Sequence, residues 1–239
     1  MVSVDTVYQK VLALANKEQR GYITPQDFNL FANQAQMEIF EQYFYDTSIA
    51  RKTQGNDTVF ADVDDMLEEK LQIFELTDET TTINNYTGSG QGLFDRVIPS
   101  YVYRVHGVIL NGVKCEILNT NDFSQCRVTS LLAPSEDRPV VNIRNGVMRC
   151  LESANGFVVP TEIIYSKVPE QVNWTYVVIN QNAMYDANAS TQNFELHPSE
   201  QTQIINKILK LVGLSNQQPD VMRSGVGMEQ AIIQQQPKI

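Results

Sequence analysis

The stretch from residue 21 to residue 45, GYITPQDFNLFANQAQMEIFEQYFY, constrains the fold more than any other part of the chain. It contains several independent signals of a helix N-terminus. Thr24 is an N-cap residue, Pro25 falls at the first helical position, and Asp27 stands three residues after the cap. We therefore predict a helix over residues 24–45.

Apolar residues recur behind this start at helical spacing, which predicts one wide buried face. They are Phe28, Phe31, Ala32, Ala35, Ile39, Phe40, Tyr43 and Phe44. Ile23 and Phe28 also occupy the two positions of a hydrophobic staple. The other side is assigned to the polar residues Asn33, Gln34, Gln36, Glu38 and Glu41. We expect replacement of Ile39 or Phe31 to be costly, and replacement of Gln36 to cost much less.

The same stretch, with residues 11–20 before it (VLALANKEQR), resembles the N-terminal signature of a family of phage virion proteins. These are ring or adaptor proteins of the head-to-tail connector in crAss-like and related short-tailed bacteriophages. Residues 121–139 (NDFSQCRVTSLLAPSEDRP) are a second similar segment. The resemblance implies a twelve-subunit homo-oligomeric ring that contacts the portal protein and other tail or ring proteins. It supplies no catalytic residues, and it implies that DNA passes through the lumen without specific binding.

The charge of the chain limits its partners. The net charge is −10 and the pI is about 4.7, which argues against wrapping duplex DNA by phosphate neutralisation. An acidic surface suits a wall that DNA slides past, and it equally suits a soluble protein. The cysteines, Cys115, Cys126 and Cys150, are odd in number and widely spaced, so they predict neither disulfides nor a CxxC metal site. We expect no signal peptide, no membrane span, and assembly in the bacterial cytoplasm into the virion.

The order of the predicted elements indicates an α+β chain. Residues 1–76 should hold three helices, at 4–15, 24–45 and 62–74. Residues 77–195 should form a polar loop, at 77–92, followed by an antiparallel β lobe. Residues 196–239 should contain a helix at 197–212 and a glutamine-rich tail with a short helix near 228–235. The terminal helices would then form one bundle into which the β lobe is inserted.

Two Asn-Gly pairs are the strongest strand signals. Asn111-Gly112 and Asn145-Gly146 each separate two alternating segments, which predicts two antiparallel hairpins. Between them, residues 121–132 should be helical or irregular, with Asp122 as a candidate cap. Further strands are predicted at 162–168 and 176–179, and a polar connection at 180–193. Trp174 and the tyrosines of this half are assigned to the core rather than to an interface.

Three groups of residues have a composition that chemical sites use. The acidic cluster Asp62, Asp64, Asp65, Glu68 and Glu69 offers oxygen ligands for a hard cation, but a helix start has the same composition. The glycine-rich residues 88–92 lack the preceding strand and the following Lys-Ser or Lys-Thr of a phosphate-binding loop. His106 lies near Cys115 across a turn, yet no orienting group accompanies the pair. His197 before Pro198 reads as the start of a helix.

We therefore expect a non-enzymatic structural protein with no cofactor, metal or catalytic residue. Its expected role is a ring subunit between portal and tail. The alternatives are a subunit of the distal tail or nozzle, and a small acidic binding or regulatory protein. Because long polar loops are uncommon without a use, we expect residues 77–92, residues 180–193 or the tail to be ordered by a neighbouring subunit.

Overall fold

The computed structural model describes residues 1–15, 23–50, 58–79, 86–88, 93–110, 112–151, 162–180, 182–186 and 189–215, with residues 223, 225–227 and 230. The helices are α1 (Val4–Ala15), α2 (Pro25–Ala50), α3 (Thr58–Gln72), α4 (Thr120–Val128) and α5 (Gln201–Ser215). The strands are β1 (Glu75–Glu79), β2 (Tyr86–Gly88), β3 (Leu93–Val97), β4 (Val102–Leu110), β5 (Val113–Lys114), β6 (Glu116–Leu118), β7 (Val140–Arg144), β8 (Val147–Leu151), β9 (Glu162–Lys167), β10 (Tyr176–Ile179) and β11 (Asn182–Tyr185). The predicted α+β class is confirmed.

The chain divides into two compact units. The first, called here the helical unit, comprises Met1–Ile73 and Pro169–Ile239, and the second, the β unit, comprises Phe74–Val168. The predicted β lobe at 77–195 was therefore too long at its C-terminal end. Residues 169–195 belong to the helical unit because side chains of α2 bind their backbone.

In the helical unit, α2 contacts α3 and α5, and α1 contacts α5. The predicted grouping of helices from both ends of the chain is confirmed. Their apolar faces meet in a core whose members include Val7, Phe28, Ile39, Ile204 and Ile208, all fully buried. Five further helical residues, at 223, 225–227 and 230, are described in the tail. Most of the helix predicted at 228–235 lies outside the described residues.

The start of α2 has the predicted capping interaction. The Thr24 hydroxyl accepts the backbone N–H of Asp27 at 3.1 Å and donates to Asp27 Oδ2 at 2.6 Å. The predicted buried face is correct for most of its members, but Phe31 is only half-buried. The assignment of Gln36 to the polar side was wrong, since its exposed fraction is 1%. Gln36 is buried because its amide finds backbone partners, described below.

Helix α3 begins at Thr58, four residues before its predicted start, and the preceding residues 51–57 lie outside the described part. The acidic cluster that begins at Asp62 is therefore past the first turn, where the helix dipole no longer explains it. At the other end of α3, Lys70 Nζ lies 2.7 Å from Glu200 Oε1. This ion pair joins α3 to the turn that opens α5. His197 caps that turn as predicted, with its Nδ1 accepting the Ser199 N–H at 3.3 Å.

The described residues of the β unit form two sheets, with strand orders β1-β9-β4-β5 and β2-β3-β8-β7-β6. Apolar side chains from both sheets form one buried cluster: Val108, Leu110, Cys115, Val141, Met148, Cys150, Ile163 and Tyr165. Both Asn-Gly hairpins are confirmed, as β4–β5 and β7–β8. The sheet is not purely antiparallel, however, because β6 pairs with β7 in parallel.

Several predicted loops contain strands. Residues 77–92 include most of β1 and all of β2, and β1 pairs with β9 at a sheet edge, where polar residues stay in water. Gly88 ends β2, so a strand does precede the glycine-rich segment, whose residues 89–92 lie outside the described part. The predicted connection at 180–193 contains β11. The cap of α4 is Asn119, whose Oδ1 accepts from the N–H of Asn121 and of Asp122. Asp122 was therefore the wrong cap.

Candidate assembly interface

A ladder of side-chain amides on α2 holds one extended segment, residues 170–174. The Asn33 amide donates to Val172 O at 3.0 Å and accepts the Val172 N–H at 2.7 Å. Asn29 makes the same pair of bonds with Trp174, at 3.2 and 2.8 Å. Gln36 donates to Glu170 O at 2.8 Å. The three amides therefore act as the neighbouring strand that this segment lacks.

The amides on α2 match the backbone groups of residues 170–174 because the helix and the extended segment have similar repeat distances. Asn29, Asn33 and Gln36 lie at i, i+4 and i+7, so they share one edge of the helix. Four helical residues rise about 6 Å, and two residues of extended chain span about 6.6 Å. One amide can therefore meet every second residue of the extended segment.

The returning chain is fixed by the same network. The Glu195 N–H donates to Gln36 Oε1 at 3.1 Å, and the Glu195 carboxylate accepts the Glu170 N–H at 2.9 Å. Asn173 forms an antiparallel bridge with Gln192. Gln36 therefore binds the chain both before and after the β10–β11 hairpin.

Trp174 forms the base of that hairpin. Its side chain is 1% exposed, and its ring centroid lies 4.0 Å from that of Tyr8. The indole Nε1–H donates to Asp5 Oδ1 at 3.1 Å. On the other side, Tyr176 and Tyr185 stack on Trp174 with centroid distances of 5.8 and 6.1 Å. The assignment of Trp174 to the core is confirmed.

Beyond this base the hairpin is uncovered. Tyr176 pairs with Tyr185 and Val177 with Met184 in the antiparallel ladder. All four residues of β10 are exposed, and Val178 reaches 63%. Because side chains alternate along a strand, these residues expose apolar surface on both faces of the hairpin. The assignment of the tyrosines to the core was therefore wrong for Tyr176 and Tyr185, which are 37% and 38% exposed. It was also wrong for Tyr101 and Tyr103, at 46% and 44%, whereas Tyr165 is buried.

This exposure identifies the hairpin as the candidate interface. A two-stranded hairpin is marginally stable by itself in water, and both of its outer edges carry backbone groups able to pair with another strand. Exposed apolar residues that adjoin one another mark interaction sites more often than isolated ones. The first strand of the hairpin, at 176–179, was predicted from the sequence. The second, Asn182–Tyr185, was missed because the sequence between the two strands is Asn-Gln and not Asn-Gly.

The structure does not support the Cys115–His106 pair as a nucleophile. Cys115 is buried in the apolar cluster of the β unit, and burial raises the pKa of its thiol to about 11. At neutral pH the group is therefore the thiol and not the reactive thiolate. His106 shares a hydrogen bond with the Ser166 hydroxyl. The other two cysteines are also buried and free.

Only three of the five side chains in the acidic cluster lie in the described part of the chain. Asp65, Glu68 and Glu69 are exposed on α3, whereas the side chains of Asp62 and Asp64 are outside the described set. No group of three or more His, Cys, Asp or Glu side chains among the described residues is arranged to hold an ion.

No family model and no curated protein matches the chain. Among the described residues, no helix combines the length and apolar character that crossing a bilayer requires.

Proposed function

We propose that this chain is a non-enzymatic structural subunit of a bacteriophage virion, a ring or adaptor protein that joins the portal to the tail. The observation that carries the proposal is the β10–β11 hairpin, which is anchored firmly at its base and exposes apolar side chains on both faces. The resemblance of residues 11–45 and 121–139 to connector proteins supports a ring of the head-to-tail connector as the assembly.

In this role the hairpin of one subunit inserts against a neighbouring subunit. A contact between two different surfaces of the same protein is heterologous, and it closes into a ring when the rotation between subunits divides a full turn. Burial of Val177, Val178 and Ile179 supplies the apolar part of the contact. The free edges of β10 and β11 supply backbone hydrogen bonds by strand addition.

The two alternatives differ in what they require of the hairpin. A distal tail or nozzle subunit uses the same kind of contact at another level of the particle. A monomeric acidic regulator has no need of an apolar hairpin that stays exposed. The net charge of −10 suits a channel wall, because it disfavours the tight binding of passing DNA.

The location of the protein in purified particles tests the proposal. Mass spectrometry should detect the chain in virions, and cryo-electron microscopy should place it in a ring between portal and tail with β10–β11 buried against a neighbour. A position farther along the tail would support the nozzle alternative. Absence from particles, together with a monomer in native mass spectrometry, would leave the regulator.

A further inference from the structure

The outer face of the second sheet in the β unit carries polar side chains in register. Asp95 on β3 lies opposite Arg149 on β8, and Arg149 lies opposite Asn142 on β7. Arg144 follows two residues after Asn142 and therefore points to the same face. The inner-facing neighbours Val141 and Met148 belong to the buried cluster between the sheets. The outer face is thus free to bind a ligand without disturbing that core.

Helix α4 covers only one end of this face. Phe123 of α4 packs with Val140, the first residue of β7, and both are buried. The rest of the face, with Arg127 from the last turn of α4, lines a cavity of about 370 Å³. This volume lies within the range of small-ligand sites, about 300–1,000 Å³.

The charge of the cavity is opposite to that of the chain. Three arginines and one carboxylate line it, Arg127, Arg144, Arg149 and Asp95. Their formal sum is two positive charges in a chain whose net charge is −10. Six of the nine arginines belong to the β unit, and half of those six are at this cavity.

Two of the three arginines, Arg149 and Arg144, keep donors available for a ligand. Arg149 Nε and Nη2 bind the two oxygens of Asp95, each at 2.6 Å. A guanidinium has five N–H donors, so three remain on Arg149 after this bidentate pair. Arg144 is exposed and makes no ion pair with any described residue.

We propose that this cavity binds a phosphate-type dianion, either free phosphate or the phosphoryl group of a small organic phosphate. The formal sum of two positive charges at the cavity matches the charge of a dianion. Planar guanidinium groups pair with phosphate oxygens in bidentate geometry. The Asn145 amide, at the turn between β7 and β8, adds a neutral donor at the rim. The site does not depend on the assembly role.

Isothermal titration calorimetry on the full chain tests the site, with inorganic phosphate and a nucleoside 5′-monophosphate as probes and sodium chloride of equal ionic strength as the reference. We expect saturable binding with one site per chain. Arg144→Gln and Arg127→Gln should each raise Kd about tenfold or more, because each removes a charge-assisted hydrogen bond. Arg104→Gln is the matched control, since Arg104 is exposed on β4 of the other sheet.

The two probes separate the two sources of phosphate. Equal affinity supports free phosphate as the ligand, and at least tenfold tighter binding of the monophosphate supports an organic phosphate. Absence of saturable binding for both probes overturns the proposal. It is also overturned if Arg104→Gln weakens binding as much as Arg144→Gln. Amide chemical shifts of Asn142 and Asn145 on phosphate addition provide a second readout, and they should move only when the site is occupied.

Discussion

The two hairpins β7–β8 and β10–β11 have the same local construction and opposite surroundings. Each turns through an asparagine with positive φ, Asn145 in the first and Asn180 in the second, both at 51°. The first hairpin lies inside a five-stranded sheet, with β3 and β6 beside it. Its Met148 is fully buried, whereas Met184 in the second hairpin is 53% exposed.

This difference shows that the turn determines the register of a hairpin, whereas packing determines its stability. The turn residues fix the chain reversal and the register of either hairpin. Stability then comes from burial, which β7–β8 obtains from the opposite sheet. The β10–β11 hairpin instead depends on its base, where Trp174 is buried and the α2 amides bind the flanking chain. Its remaining apolar surface is what we assign to a neighbouring subunit.

The largest expected effect is the difference in the free energy of unfolding between alanine variants of Met148 and Met184. In the monomeric protein, Met148→Ala should lower the free energy of unfolding by about 2–5 kcal/mol, because it leaves a cavity in the core. Met184→Ala should change it by less than about 0.5 kcal/mol, since the side chain is solvated. Urea unfolding of both variants measures the difference. A large cost for Met184→Ala would mean that the hairpin is already covered in the isolated subunit.

The next effect concerns the anchor of the exposed hairpin. Gln36→Ala should destabilise the protein by about 1–3 kcal/mol, because it leaves the buried N–H of Glu195 and the partly buried carbonyl of Glu170 without their amide partner. Gln34→Ala is the control, as Gln34 is exposed and, among the described residues, its side chain bonds only to Glu38 one turn away. Hydrogen exchange in β10–β11 should accelerate in the first variant alone. Equal melting temperatures for the two variants would show that Gln36 does not anchor the hairpin.

The third prediction tests the proposed use of the exposed hairpin. Val178→Lys should weaken self-association about tenfold or more, because a charge would enter an apolar contact, while monomer stability should be nearly unchanged. Leu131→Lys is the control, since Leu131 is 89% exposed in the β unit and outside the hairpin. Analytical ultracentrifugation over a range of concentrations measures both. Equal weakening by the two substitutions would show that self-association does not depend on the hairpin.

The fold was predictable where short-range signals decide it. Thr24, Pro25 and the apolar spacing behind them locate α2, and the Asn-Gly pairs locate two hairpins. These signals act through neighbours a few residues apart, so the sequence displays them directly. The α+β class and the grouping of the terminal helices followed from the same elements.

The candidate interface was less predictable, because long-range partners create it. Periodicity assigned Gln36 to solvent, since it treats every polar residue as exposed. The amides at positions 29, 33 and 36 lie on one helix edge, and that spacing was the available signal. Strands β1 and β11 are polar or short, and only their pairing with β9 and β10 makes them strands. For the arginine cavity, β-pairing brings Asp95 and Arg149 together across 54 positions of sequence.

The smallest expected effect concerns the ion pair between Asp95 of β3 and Arg149 of β8. This pair lies on the outer face of the sheet that contains the β7–β8 hairpin, whereas β10 and β11 contain no charged residue. Hydrogen bonds from Arg149 hold the pKa of the Asp95 carboxyl below its ordinary value of 3.8. A lowered pKa means that the ionised group stabilises the folded state above pH 3.8, and that this contribution is lost as the pH falls through the folded-state pKa. Because the pair is partly exposed, Asp95→Asn should cost less than about 1 kcal/mol at pH 7. The cost should shrink towards pH 3 in urea unfolding of both proteins. A difference that stays constant over this range would assign the effect to the geometry of the side chain and not to its charge.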